Sequence, residues 1–142
     1  MEKREFISRG PSETWEIGEI IAKELTIGSL VLITGDMGSG KTQLIKGIAK
    51  GLGFKDWIYV NSPSFTIVNV YEGGRQTLIH VDFYRLSNEE ASDIFVEEML
   101  DEGIVVVEWP ERRAWHGPRT EVKIEIIGEN ERRIEVVNLG TI

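Results

Sequence analysis

The sequence has no cysteine. Disulfides, thiolate metal sites and cysteine nucleophiles are excluded together, and the lack agrees with a reducing compartment. No apolar run follows Met1-Glu2-Lys3-Arg4-Glu5, so nothing there resembles a signal peptide. The longest apolar runs fall far short of a membrane span. A cytoplasmic protein is expected. Basic residues are the minority, 16 Lys+Arg against 24 Asp+Glu, for a formal net charge of −8. Such a chain is poorly suited to grip nucleic acid by phosphate neutralisation. It is better suited to meet a basic partner. The two histidines, His80 and His116, lack metal-ligand spacing. No repeat and no linker is visible. What is there is 142 residues, 41% hydrophobic and 28% charged. That composition suits one globular domain spanning residues 1–142.

Fifteen glycines punctuate the chain. Pro11-Ser12-Glu13 reads as a helix start with Ser12 as N-cap, and Ile17, Ile20, Ile21 and Leu25 continue at helical spacing over 13–25. Ser29–Thr34 is a short apolar run that suits a strand buried on both faces. A second helix carries Leu44, Ile45, Ile48, Ala49 and Leu52, with Gly53 at its end. Trp57–Val60 reads as a short strand. Phe65–Tyr71 and Gln76–Asp82 flank a glycine turn as a hairpin. Ser87 opens a helix expected to run to about Asp101. Ile104–Val107 is a second buried strand ending at Glu108. Glu121–Ile127 and Arg132–Val137 form a second hairpin. The order predicts an α/β, P-loop NTPase-like three-layer fold with a mixed, mostly parallel sheet and two β-hairpins.

Gly35-Asp36-Met37-Gly38-Ser39-Gly40-Lys41-Thr42 matches G-x-x-x-x-G-K-[ST] in full. Glycines let successive backbone N–H groups point inward at phosphate oxygens. The helix that follows adds its positive end. In this pattern Lys41 reaches the β- and γ-phosphates and Thr42 gives its hydroxyl to Mg²⁺. The buried strand before the loop and the helix after it supply the context that the motif requires.

A phosphate loop needs a carboxylate at the end of a neighbouring strand. Glu108 follows four apolar residues and is the first choice for magnesium. Asp82, after a less apolar strand, is left to orient water or support the metal's ligands. Ser62-Pro63-Ser64-Phe65-Thr66 is hydroxyl-rich and sits where phosphate-loop proteins sense the γ-phosphate, although an ordinary turn explains it equally. Trp109 reads either as a partner contact or as a cap on the core. Arg112, Arg113 and Arg119 read as solvated surface charge more readily than as a kinase lid.

The phosphate loop together with Ser62-Pro63-Ser64-Phe65-Thr66, His80-Val81-Asp82-Phe83-Tyr84-Arg85 and Glu108-Trp109 resembles the TsaE (YjeE) family. The resemblance runs from about Ser12 to near Arg133. It implies a slow ATPase binding ATP/ADP and Mg²⁺, required for threonylcarbamoyladenosine synthesis on tRNA. The family acts with TsaB and TsaD, which transfer the group to the adenosine next to the anticodon, while TsaC supplies the activated form. Carried over, Lys41, Asp82 and Glu108 are the catalytic residues, and Thr42 and Glu108 the magnesium residues. The nucleotide is implied to contact Gly35, Met37, Gly38, Ser39, Gly40, Lys41, Thr42 and Gln43. Arg133 matches the family's basic residue in the last hairpin, and Ser12 and Thr14 would lie near the base. Ser39, Gln43 and Ser64 depart from the alanine and the two threonines usual at those places. Contact with tRNA is implied to be indirect, through the partner complex, on whose basic tRNA-binding surface the acidic chain could dock. Two other readings stay open, a small-molecule kinase and a subunit that switches by nucleotide occupancy alone.

Overall fold

The computed structural model describes residues 2–63 and 65–140. Seven strands form one sheet: β1 (Glu2–Ser8), β2 (Leu30–Thr34), β3 (Val68–Tyr71), β4 (Leu78–Asp82), β5 (Ile104–Glu108), β6 (Arg119–Ile126) and β7 (Arg132–Leu139). Their spatial order is β1-β7-β6-β2-β5-β4-β3. The central pairs are parallel, β2 with β5, β2 with β6 and β4 with β5. The flanking pairs β1–β7, β6–β7 and β3–β4 are antiparallel. The predicted mixed sheet and both hairpins are present.

The strands' period of two builds two cores. Val31, Ile33, Ile104 and Val106 point to one face, where α1 (Pro11–Ala22) and α2 (Lys41–Gly51) bring Ile17, Ile21, Leu44 and Ile48. Leu32, Ile79, Val105 and Val107 point to the other face. It is covered by the short helices α3 (Asn88–Ser92) and α4 (Val96–Met99) and by Trp115. The two long helices touch backbone to backbone. A Cβ at Gly47 would lie 2.4 Å from the Trp15 carbonyl oxygen, and one at Gly18 would lie 2.6 Å from that of Leu44.

Four local expectations change. Strand β1 is an addition that no pattern in the sequence marks. Trp57–Tyr59 forms a 3₁₀ turn instead of a strand. The helix expected from Ser87 to Asp101 is two short helices. Ser87 does cap the first through a reciprocal bond with Glu90. The run then breaks at Phe95, whose ψ of 68° leaves the helical range. There Ile94 turns onto the core while Phe95 stays 68% exposed. Helix α1 starts earlier than expected, at Pro11 after Gly10, with no side-chain cap. Proline fits that first position because its missing N–H would have had no helical partner. Ser12 therefore lies inside the first turn, exposed, and is not the cap.

Candidate active site

Parallel strands place their C-terminal ends side by side, and the site is built there. The loop between β2 and α2 turns at Gly38 (φ 79°) and Gly40 (φ 106°), in the left-handed region that favours glycine. Gly35 leaves no room for a side chain. A Cβ there would lie 2.6 Å from Ser39 Oγ and 2.9 Å from the Ile124 carbonyl oxygen. Lys41 opens the helix, and its Nζ donates to the Gly35 carbonyl at 2.7 Å. The same ammonium lies 3.7 Å from the centroid of the Trp109 ring. Burial lowers the Lys41 pKa against the opposing pull of Glu108, Glu111, Asp82 and Asp36.

The two strand-end acids are register partners, Asp82 on β4 beside Glu108 on β5, and Glu108 also sits beside Ile33 on β2. Glu108 is buried. Its Oε2 lies 2.7 Å from His80 Nε2 and accepts the Ser62 hydroxyl at 2.7 Å. The Ser62 hydroxyl is in turn 3.0 Å from Thr42 Oγ1. A continuous link thus runs Thr42–Ser62–Glu108–His80. Burial alone pushes the Glu108 carboxyl up, but the His80 ring, the Ser62 hydroxyl and the Lys41 charge outweigh it, so the pKa is lowered. Asp82 goes the other way. Burial raises its pKa and the neighbouring Glu108 charge adds to that. The Tyr84 backbone N–H, bonded to Oδ1 at 2.9 Å, opposes it, as do the His80 and Lys41 charges. Two adjacent carboxyls with pKa values driven apart can carry different duties, one held ionised and the other more ready to accept a proton.

These groups line a cleft of about 530 Å³ that includes Met37, Lys41, Thr42, Asp82, Glu108 and Trp109. Among the described residues no cluster of three His, Cys, Asp or Glu side chains is placed to hold a metal ion. The oxygens of Thr42, Ser62 and Glu108 are nevertheless hard donors linked at 3.0 Å or less. That set fits Mg²⁺, which binds through few protein oxygens and completes its shell with water and phosphate.

Gly35, Met37, Gly38, Ser39, Gly40, Lys41, Thr42, Gln43, Asp82 and Glu108 gather at this one end of the sheet. Gln43 faces two ways, since its Oε1 accepts the Trp15 indole N–H at 2.7 Å and ties α1 to α2. Ser12 and Thr14 do not line the cleft. Thr14 is buried, and its hydroxyl is 2.7 Å from that of Ser8. Arg133 is also elsewhere. It pairs with Glu125 at 2.7 Å and Glu5 at 3.3 Å on the sheet face opposite α1 and α2. The residue on the loop is Arg132, whose Nε donates to the Ser39 carbonyl at 2.9 Å and whose Nη2 donates to that of Gly38 at 3.3 Å. Strand alternation explains the correction. Ile134 and Val136 face the helices, so Arg132 shares their side and Arg133 does not. The parity is readable from the sequence.

Of the hydroxyl loop, Ser62 joins the site, the Phe65 side chain is 84% exposed, and Ser64 lies outside the described residues. Trp109 caps Lys41 from a left-handed backbone (φ 57°) and packs 5.0 Å from the Tyr84 ring. Arg113 pairs with Glu97, and Arg119 with Glu121. Arg112 donates to the Tyr84 carbonyl. None of the three lines the cleft. No sequence signal announces the His80–Glu108 bond, the Trp109 cover or the Arg132 contact apart from that parity.

The fold and this loop are of the P-loop NTPase-like class, with Glu108 on the strand beside β2 and Asp82 on the next strand out. Within that class, the family model for threonylcarbamoyl adenosine biosynthesis protein TsaE matches residues 8–135, and the chain belongs to that family. Similar proteins include the tRNA threonylcarbamoyladenosine biosynthesis protein TsaE of Aquifex aeolicus, 37% identical over 94% of this chain and 95% of the relative. That of Synechocystis is 41% identical over 76% of this chain and 71% of the relative. The crystal structure of Bacillus subtilis YdiB superposes with a TM-score of 0.77 at 28% identity, covering 98% of this chain and 87% of that one. No helix among the described residues is long and apolar enough to cross a membrane.

Proposed function

We propose that this chain is a magnesium-dependent ATPase of the cytoplasm. It serves formation of N6-threonylcarbamoyladenosine at the tRNA adenosine next to the anticodon, and acts with TsaB and TsaD to sustain their turnover. The observation that carries this reading is the Thr42–Ser62–Glu108–His80 link beside Lys41, which joins the start of α2 and the hydroxyl loop to Glu108 at the end of β5 and His80 on the adjacent parallel strand β4. The family and the names of its relatives supply the pathway.

In this reading the loop from Gly35 to Gly40 cradles the phosphates with its backbone N–H groups, and Lys41 exchanges the Gly35 carbonyl for phosphate oxygen. Thr42 and Glu108 hold Mg²⁺, which when bound neutralises phosphate charge and orients the γ-phosphate. His80 fixes the Glu108 carboxylate. Asp82, with its raised pKa, orients the attacking water and accepts its proton. Ser62 changes partners when the γ-phosphate leaves and so alters the exposed loop that carries Phe65. The test measures ATP hydrolysis by the chain alone and with purified TsaB–TsaD, with Glu108→Ala as control. Slow turnover that rises with the partners and vanishes in the variant is expected. Turnover indifferent to TsaB–TsaD refutes the partnership, and an unaffected Glu108→Ala refutes the site.

A further inference from the structure

One buried charge is left without a part in the chemistry above. Lys46 lies on α2, five residues after Lys41, and is only 8% exposed. Its Nζ donates to the Ile58 carbonyl at 2.5 Å and to the Val60 carbonyl at 2.6 Å. No carboxylate is paired with it among the described residues. Burying an ammonium against carbonyls alone is unfavourable, and an apolar side chain of similar length would fill the space without that penalty. A group kept under those terms invites the question of what it holds.

It holds the root of the hydroxyl loop. Val60 is buried, and Ser62 follows two residues later with its hydroxyl between Thr42 and Glu108. Just upstream, Trp57 is fixed by an edge contact with Trp15 at 5.0 Å and lies beneath Lys50, also of α2. Downstream, among the described residues, Asn61 receives only a long bond from the Tyr71 hydroxyl, 3.3 Å. The Lys46 contacts are therefore the last firm attachment of this segment before it reaches the site. They tie it to the helix whose first turn carries Lys41 and Thr42.

We propose that Lys46 is a positioning residue that couples the phosphate-binding helix to the hydroxyl loop. It fixes residues 58–60 to α2 so that Ser62 meets Thr42 and Glu108 in one register, and so that a response to the nucleotide is confined to residues beyond Val60. The inference rests on the nucleotide-site reading above. Lys46 touches neither the nucleotide nor the reacting atoms. Its loss lengthens the free segment and spreads Ser62 over several positions. The interactions sensitive to the γ-phosphate weaken, while those of the glycine loop with the other phosphates persist.

The experiment compares the full chain with Lys46→Met by calorimetric titration with Mg²⁺–ADP and with a non-hydrolysable Mg²⁺–ATP analogue. Wild type should prefer the analogue. Lys46→Met should keep ADP affinity within about twofold and lose about tenfold in analogue affinity, as for residues that orient ligands from behind. Lys46→Arg, which keeps donors for both carbonyls, should restore the preference. Combined with Ser62→Ala, the loss should be non-additive, because both changes act on one contact. Equal preference in wild type and Lys46→Met overturns the proposal, as do strictly additive losses. Should Lys46→Met not fold, Lys46→Gln, which retains one donor, takes its place in the same comparison, and equal preference or additive losses overturn the proposal there too. A wild-type chain that binds adenine nucleotides without preference overturns this inference alone. One that binds none overturns the nucleotide-site reading.

Discussion

The two faces of the sheet are built on different terms. On one, α1 and α2 lie so close that glycines at 18 and 47 are the only residues the gap admits. On the other, helices of five and four residues cover the same strands, and an aromatic at Phe95 is left in solvent. The phosphate loop grows out of the close-packed face, and the strand-end acids separate the two. The contrast teaches that the lysine and the hydroxyl are mounted on a stiff helix pair, while tolerance to change belongs to the thin side. A stiff mount keeps the glycine loop and Lys41 in one arrangement, and such preorganisation is where an electrostatic site gains its strength.

Substitutions on either side test that contrast. The harshest is Gly47→Val. Its added atoms would meet the Trp15 backbone at 2.4 Å, a position that cannot yield as a flexible side chain can. A loss of about 3 kcal/mol or more is expected, read as a collapsed thermal transition, and a mild effect would disprove the stiff mount. Next comes Lys41→Ala, expected to reduce ATP turnover at least about a hundredfold while leaving the melting temperature nearly unchanged.

The two acids should then move stability in opposite directions. Glu108→Gln can still offer one oxygen to Ser62 and His80 but removes the charge that strengthens both bonds, and should cost about 1–3 kcal/mol at pH 7. The Glu108 pKa is lowered in the fold, so its contribution is complete above the ordinary carboxylate range and is lost as pH falls through its lowered value. The gap between wild type and Glu108→Gln should close in acid. Asp82→Asn should raise the melting temperature at pH 7 and abolish turnover. Here the folded pKa is raised, so the penalty is complete above that raised value and absent below the ordinary carboxylate range. Thermal scans from acid to neutral pH read both trends, and a stabilised Glu108→Gln or a destabilised Asp82→Asn contradicts the assignment. The smallest effect is reserved for the thin face. Phe95→Ser should shift stability by no more than about 0.5 kcal/mol.

Much of the stiff side is legible in the sequence, because its signals are local. Ser29–Thr34, the glycine loop and the stripe of Leu44, Ile45 and Ile48 each announce a strand, a turn and a helix within a few residues. The parts that are not legible depend on neighbours distant in the chain. Glu2–Ser8 is rich in charge and buries one residue, Ser8, so no apolar alternation marks it as a strand. It exists because β7 offers a paired edge. Asn88–Met99 reads as one helix until Ile94 is drawn into the core. Glu108 and Asp82 are recognisable as strand ends, but their contact requires β4 and β5 to be adjacent and in register. The His80 bond to Glu108 spans 28 residues, and no spacing rule predicts it.

The sheet's outer margins complete the molecule. Strand β1 borders one side with Glu2, Lys3, Arg4 and Glu5, and β3 closes the other with four residues. An unpaired strand is a template on which a second sheet can polymerise, and charge and brevity are two defences against it. The chain uses one at each end. Replacing Lys3 and Glu5 with valine and threonine removes two of the four charges on that border and should favour edge-to-edge association there, far from the cleft.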